Sequence, residues 1–450
     1  MTELLPRGLL ARLTQLLRVV PVVVLEGPRA CGKTAVGSML KAAGSMVTVA
    51  DLSDPTTLAA ATASPTTFVE SLGTPAFIDE VQLVPELTVA VKRIVDRTGD
   101  PGAFVLTGSS RLGRTELGGS DPLAGRAARV RLWPMTQGEL GGSPVTVIPA
   151  LFADDPLTGG GTPISPADLQ RRIARGGIPT IAGVRADVPD VVRPQLIAEY
   201  VEGVLHHETG RRHDRAELLR TYRYLAATTA RLLNTSNVAD DLGAKRETVQ
   251  TRIATLDGSF LLHSLAARRS GEHRTLTAHP KVHVIDTSIA TWASRAGTEP
   301  PPELWGALVE TFVVNELCAQ AAWSTQQITV RHWRDTARKL EVDAVIAAPD
   351  GRAVGVEVKA GADVRPDDLK GLTALLADDE QIHRGVVFYT GAQVLQLSER
   401  IWAVPISALW EDPFDRGQQG GLKKVVAPDP SPSDHPAGSP TAELNGLLST

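Results

Sequence analysis

Gly27-Pro28-Arg29-Ala30-Cys31-Gly32-Lys33-Thr34 is the stretch that decides the fold. It follows a β-branched apolar run, Val22-Val23-Val24-Leu25, and precedes a helix-forming stretch that begins at Ala35. G-x-x-x-x-G-K-T between a buried strand and a helix start is the pattern of a phosphate-binding loop. The glycines let the loop curl so that backbone N–H groups face phosphate oxygens, and the helix that follows adds positive potential at its N-terminus. Lys33 is placed to reach the β- and γ-phosphates and the Thr34 hydroxyl to ligate Mg²⁺, so residues 27–34 predict a nucleoside triphosphate with Mg²⁺.

Strand and helix patterns alternate around this loop: strands at 46–50, 76–78 and 103–106, and a helix at 85–98, with a polar stretch between the second and third strands. Such alternation predicts a parallel sheet covered by helices. Ala76-Phe77-Ile78-Asp79-Glu80 ends an apolar strand in two carboxylates. Asp79 suits the Mg²⁺ shell and Glu80 suits polarising an attacking water. Val105-Leu106-Thr107-Gly108-Ser109-Ser110-Arg111 delivers small polar residues to the same sheet edge, where Ser109 or Ser110 is a candidate γ-phosphate sensor and a plain polar turn is the alternative. Cys31 reads as packing filler within the loop, with an oxidation-sensitive thiol as the alternative.

These segments, with Ile78-Asp79-Glu80-Val81-Gln82, Leu123-Ala124-Gly125-Arg126 and Leu132-Trp133-Pro134-Met135, resemble prokaryotic AAA-type ATPases that carry a C-terminal domain of uncharacterised function. The resemblance implies an arginine-finger or sensor role for Arg126, within one chain or toward a neighbour, and makes a homo-oligomer plausible. It spans most of residues 15–410.

The remainder divides by composition. A Gly/Pro/Ser/Thr-rich stretch at 141–166 predicts a loop or domain boundary. Residues 167–300 are mainly helical, with helices at 218–227, 237–242 and 246–257 and then apolar Phe260-Leu261-Leu262 before Arg268-Arg269. Helix, short turn, helix and an apolar strand predict a winged helix-turn-helix. Arg246, Arg252, Arg268 and Arg269 are its candidates for contacting DNA or RNA phosphates, with surface solvation as the alternative for each. His206, His207 and His213 lack metal-ligand spacing and read as a solvated face.

From 303 the order is helix, three strands, helix, strand, with a last short strand at 401–404. Leu340-Glu341-Val342-Asp343 and Val356-Glu357-Val358-Lys359 flank a turn at Pro349-Asp350-Gly351. Asp343, Glu357 and Lys359 stand in the D-(x)n-E-x-K arrangement of restriction-endonuclease-like nucleases, and Glu310 on the preceding helix fits an added acidic ligand. An active nuclease and a degenerate nucleic-acid-binding or interaction module both stay open, since fold does not fix function. The resemblance implies an Arg-Asp step around 200–212, where this chain instead reads Leu205-His206-His207-Glu208.

The expectation is thus an α/β protein. It has an AAA-type P-loop NTPase domain at 15–145, a helical region with a winged helix at 167–300, and a restriction-endonuclease-like core at 301–412. A disordered tail, rich in Pro, Ser, Gly and Asp, is expected at 413–450. Of 450 residues only two are cysteines, one inside the phosphate loop, which excludes a disulfide framework. The N-terminus lacks a signal-peptide pattern and no apolar run reaches the roughly 18 residues of a membrane span. A cytoplasmic ATPase controlling a nucleic-acid-associated module is the first reading, and a non-catalytic ATP switch or an ATP-gated, metal-dependent nuclease are the alternatives.

Overall fold

The computed structural model describes residues 4–110, 121–183, 192–209, 214–268, 279–295, 300–412 and 414. The N-terminal part runs α1 (Leu9–Leu17), β1 (Val22–Glu26), α2 (Lys33–Ala42), β2 (Thr48–Asp51), α3 (Pro55–Ala63), α4 (Pro65–Leu72), β3 (Ala76–Asp79), α5 (Leu87–Thr98), β4 (Phe104–Gly108) and β5 (Ala127–Arg131). Its five strands are all parallel, in the order β2-β3-β4-β1-β5. Helices cover both faces, so β3, β4 and the Val22–Leu25 stretch of β1 are buried and read as largely apolar runs. Because the strands are parallel, Glu26, Asp79 and Gly108 end on one edge. Gly37 lets α2 lie against that sheet, since a Cβ there would stand 2.6 Å from the Phe77 ring.

The stretch expected to be merely polar between β2 and β3 holds two helices, α3 and α4. Thr and Ala dominate it, which hides the apolar spacing, but the starts are legible. Asp54 caps α3 by accepting the Thr57 N–H at 2.8 Å, and each helix carries proline in its first turn.

The middle part runs α6 (Gln137–Leu140), α7 (Ile148–Phe152), α8 (Pro166–Arg175), α9 (Pro179–Ala182), α10 (Val192–Thr209), α11 (Arg215–Ala227), β6 (Arg231–Leu232), α12 (Thr235–Leu242), α13 (Arg246–Gly258), β7 (Leu262–Leu265), β8 (Lys281–Val284) and α14 (Thr287–Ser294). From α11 onward the order is helix, strand, helix, helix, strand, strand, with an antiparallel sheet ordered β6-β8-β7. Gly243, at φ 61°, makes the left-handed turn from α12 to α13.

The last part runs α15 (Pro302–Trp323), β9 (Thr329–Asp335), β10 (Leu340–Ala347), β11 (Ala353–Val358), α16 (Lys370–Asp378), β12 (Ile382–Tyr389), β13 (Leu395–Ser398) and β14 (Ile401–Pro405). Its sheet has the order β13-β14-β12-β11-β10-β9. Strands β9, β10 and β11 pair antiparallel, and β12 returns through α16 to lie parallel to β11. The four-residue β13 is largely exposed, and its Leu-Gln-Leu-Ser alternation is too short to stand out.

Middle and C-terminal parts share one core, in which Tyr222, Leu261 and Ile289 join Leu308, Phe312 and Val356. The 141–166 stretch is not a free linker. Val147 and Leu151 are buried, the Val147 N–H donates to Gln320 Oε1 at 2.8 Å, and the Gly161 N–H donates to the Ala392 carbonyl at 2.7 Å. Past β7 the chain reaches β9: the Arg268 N–H donates to the His332 carbonyl at 2.6 Å and the His332 N–H to Ala266 at 3.1 Å.

His263 on β7 sits where the three parts meet. Its ring lies edge-on to Trp133 at 4.9 Å, stacks on His283 at 5.3 Å, and places Nε2 2.7 Å from Asn315 Oδ1. Burial holds its pKa down at about 3, against 6.5 for a free histidine. The folded ring therefore stays neutral while the unfolded one charges below about 6.5. The stability it contributes is present above that value and is lost as pH falls toward 3. Between pH 6.5 and about 5 the loss amounts to roughly 2 kcal/mol. Thermal melts across that range will show it, and a folded His263→Gln variant will show a shallower fall.

Candidate functional site

The phosphate loop leaves β1 and enters α2 with its curl set by Ala30 at φ 57° and Gly32 at φ 98°. Gly27 admits no side chain, since a Cβ would stand 2.3 Å from the Leu132 carbonyl oxygen. Pro28 is buried, while Arg29 and Ala30 face outward. The buried Lys33 ammonium donates to the Gly27 and Pro28 carbonyls, each at 3.0 Å. Cys31 packs with Leu9, Leu13 and Val36, and burial pushes its thiol pKa up, which favours filler over a reactive thiol.

The acidic half arrives from β3. Asp79 is buried, its Oδ2 accepts the Thr34 hydroxyl at 2.5 Å, and its Oδ1 accepts the Thr107 hydroxyl. Burial raises its carboxyl pKa even though both hydroxyls oppose the rise. Glu80 follows at φ 57°, a left-handed conformation that costs a non-glycine residue about 1–3 kcal/mol. It turns the chain so that the Glu80 carboxylate accepts from Gln82 Nε2 and, at 3.2 Å, from the Ser109 hydroxyl. Gln82 also donates to Ser109 Oγ at 2.9 Å. The fold thus gathers Lys33, Thr34, Asp79, Glu80, Thr107 and Ser109 at one edge. Gln82 was not assigned a role, although its place two residues after Glu80 is a signal.

Arg126 is not with them. It precedes β5, whose Ala127 lies level with Val22 at the opposite end of β1 from the loop, and it pairs with Asp96. Arg111 lies outside the described residues.

Two contacts on the loop come from elsewhere in the chain. The buried Arg7 guanidinium donates to the Cys31 carbonyl at 2.6 Å, the Trp133 carbonyl at 2.8 Å and Glu139 Oε1 at 3.0 Å. Tyr200 of α10 donates its hydroxyl to the Arg29 carbonyl at 3.1 Å. Neither residue carries a local sequence pattern.

A second cluster lies in the C-terminal sheet. The Val358 N–H donates to Asp343 Oδ2 at 3.0 Å, which joins β10 to the end of β11. Lys359 pairs with Glu357 at 3.0 Å and Asp368 at 3.4 Å. Lys281 of β8 pairs with Asp343 at 2.9 Å and with Glu310 of α15 at 2.5 Å. Burial, then Asp343, raise the Glu357 pKa to about 8. Burial would lower the Lys281 ammonium, but Asp343 and Glu310 outweigh it and hold it charged. Among the described residues no three His, Cys, Asp or Glu side chains are arranged to hold a metal ion. Lys281 was missed because its partners are distant in sequence.

Two of the basic candidates are engaged internally. Arg252 is buried, with its guanidinium 3.3 Å from both Glu217 and Thr221. Arg268 bonds Asp379 at 2.9 Å and Gln381 at 3.0 Å. Arg246 is exposed, as is His206, while Arg269, His213, the His207 side chain and the chain beyond 414 lie outside the described residues. No helix among the described residues is long and apolar enough to cross a membrane.

Residues 20–141 match the model of an AAA domain, which supports a P-loop NTPase for the N-terminal sheet. Residues 166–300 and 305–409 match two domains of unknown function, DUF8612 and DUF4143. Uncharacterized proteins from Mycobacterium bovis and Mycobacterium tuberculosis are each 27% identical over 404 residues, covering 89% of this chain and 83% of theirs. A Walker-type ATPase of Pyrococcus abyssi aligns at 14% identity and TM-score 0.39, covering 65% of this chain and 99% of its own.

Arg7→Ala leaves Glu139 buried without its cation, so unfolding titrations should show a loss of about 3–5 kcal/mol. Gly27→Ala should keep the fold but displace the loop, and a fluorescent ATP analogue will then bind at least about tenfold more weakly.

Proposed function

We propose that the chain binds and hydrolyses ATP with Mg²⁺, and that turnover controls its C-terminal half. The observation that carries this reading is the Thr34–Asp79 hydrogen bond at 2.5 Å. It joins the loop hydroxyl and the strand-end carboxylate that a magnesium ion takes together in P-loop enzymes. The donor set fits the ion, since Asp79 and Thr34 are hard oxygen ligands on rigid elements. When bound, Mg²⁺ supplies charge neutralisation on the β- and γ-phosphates. Lys33 exchanges its two loop carbonyls for phosphate oxygens, and the loop N–H groups hold the same charge. Glu80, fixed by Ser109 and Gln82, orients the attacking water and accepts its proton. Arg126 would serve only the site of a second copy, which is how a homo-oligomer enters this reading. Purified protein should release phosphate from ATP with Mg²⁺. Lys33→Ala should abolish turnover, and Glu80→Gln should retain ATP binding while slowing turnover about 10²–10⁴-fold. Turnover that survives Lys33→Ala would remove the assignment.

A second reading concerns the C-terminal half. Its helix–strand–strand–strand–helix–strand order supports a nuclease-like fold, and the order from α11 to β8 supports a winged helix. Nucleic-acid binding without cleavage is favoured by one observation: Lys281 and Lys359 already neutralise the carboxylates. Supercoiled plasmid incubated with Mg²⁺ or Mn²⁺, with and without ATP, should stay intact. Nicking that disappears in Asp343→Ala protein would restore the nuclease.

A further inference from the structure

Two donors from outside the phosphate loop take two of its carbonyls. The Tyr200 hydroxyl of α10 donates to the Arg29 carbonyl at 3.1 Å, and the buried Arg7 guanidinium donates to the Cys31 carbonyl at 2.6 Å. Both peptides are trans and planar, so each carbonyl points opposite to the N–H of the residue that follows it. Fixing the Arg29 carbonyl therefore aims the Ala30 N–H away from Tyr200. Fixing the Cys31 carbonyl aims the Gly32 N–H away from Arg7.

The backbone between these peptides has the matching shape. Ala30 and Gly32 are left-handed, at φ 57° and 98°, and left-handed residues in a turn gather backbone N–H groups into a concavity that holds anions. A left-handed alanine persists only where its surroundings over-determine it, and the Tyr200 bond fixes the peptide that leads into Ala30. The Cys31 N–H is taken within the loop by the Pro28 carbonyl at 3.4 Å. Among the described residues, nothing accepts from the Ala30 or Gly32 N–H.

We propose that Tyr200 and Arg7 are positioning residues for the nucleotide phosphates: by holding two loop carbonyls outward, they keep the Ala30 and Gly32 N–H groups free and aimed at phosphate oxygens. Neither side chain touches the nucleotide, and each acts through one peptide plane. With the planes fixed in advance, the loop does not spend binding energy on turning them. This role rests on the nucleotide reading and adds to it the groups that set the loop's affinity. For Tyr200 the role belongs to one oxygen atom, since the ring alone can pack but cannot donate.

Calorimetric titration of the full-length chain with pyrophosphate and with ADP, each with Mg²⁺, tests it, beside a thermal melt of each ligand-free protein. Tyr200→Phe should melt with wild type yet bind both ligands about three- to tenfold more weakly, the size of one neutral hydrogen bond. An equal factor for the two ligands puts the defect at the phosphates. Arg7→Lys keeps a cation beside Glu139 but lacks the fork that reaches the Cys31 carbonyl as well, so it should weaken both ligands at least as much. Tyr200→Phe protein that binds pyrophosphate as tightly as wild type overturns the role, as does a loss confined to ADP. Wild-type protein that binds neither ligand removes the nucleotide reading itself, whereas wild-type binding with an unaffected Tyr200→Phe variant removes only this role. Should Arg7→Lys fail to fold, the Tyr200→Phe titration still decides.

Discussion

The Arg7 guanidinium is the contact on which the arrangement of this protein turns. It spends its donors on the Cys31 carbonyl in the phosphate loop, the Trp133 carbonyl past β5, and Glu139 in α6. A buried guanidinium must be fully bonded, so these three acceptors are fixed relative to one another. The same short segment then reaches the last part of the chain, because the Gln137 N–H donates to Glu316 Oε1 on α15 at 2.8 Å. From loop to C-terminal helix the path is three hydrogen bonds long. Beside it, the Trp323 ring at the end of α15 lies against Gly8, where any Cβ would stand 2.5 Å from the ring.

The elements that were legible in the sequence are those with a local signature, an apolar run or a motif of fixed spacing. The run Val22–Leu25, the loop glycines and the Asp79-Glu80 strand end announce themselves locally, and so does the helix and strand order after 303. Two kinds of feature did not. The first helix at 55–63 is built mostly from Thr and Ala, whose small side chains give weak contrast between faces, and the second at 65–72 is only two turns long. Ion pairs across the chain give no contrast at all: Arg7 and Glu139 are 132 residues apart, and Lys281 and Asp343 are 62 apart. Arg126 shows the converse limit. Its neighbours Gly125 and Ala127 mark a strand start, but only the parallel register reveals that this start faces away from the loop.

The middle and C-terminal parts match separate families, yet they are one body of packing. Phe312 and Leu308 of α15 share a core with Tyr222 and Ile289, and Gln320 closes both the 147 segment and the Leu409 carbonyl. Tyr200 carries this body to the phosphate loop through the Arg29 carbonyl. The phosphate loop is therefore tied to α10 directly.

The six-stranded sheet ends in β9 on one side and β13 on the other, and an unpaired edge strand is an invitation to another chain. Here residues 266–268 bond alongside β9, and Gly159–Gly161 bond the backbone just before β13. Both guards precede the sheet in the chain, so during synthesis each edge emerges after the segment that will cover it. Backbone from earlier in the chain thus meets β9 at His332 and the approach to β13 at 392–394, and cutting the chain between its family segments would remove both contacts.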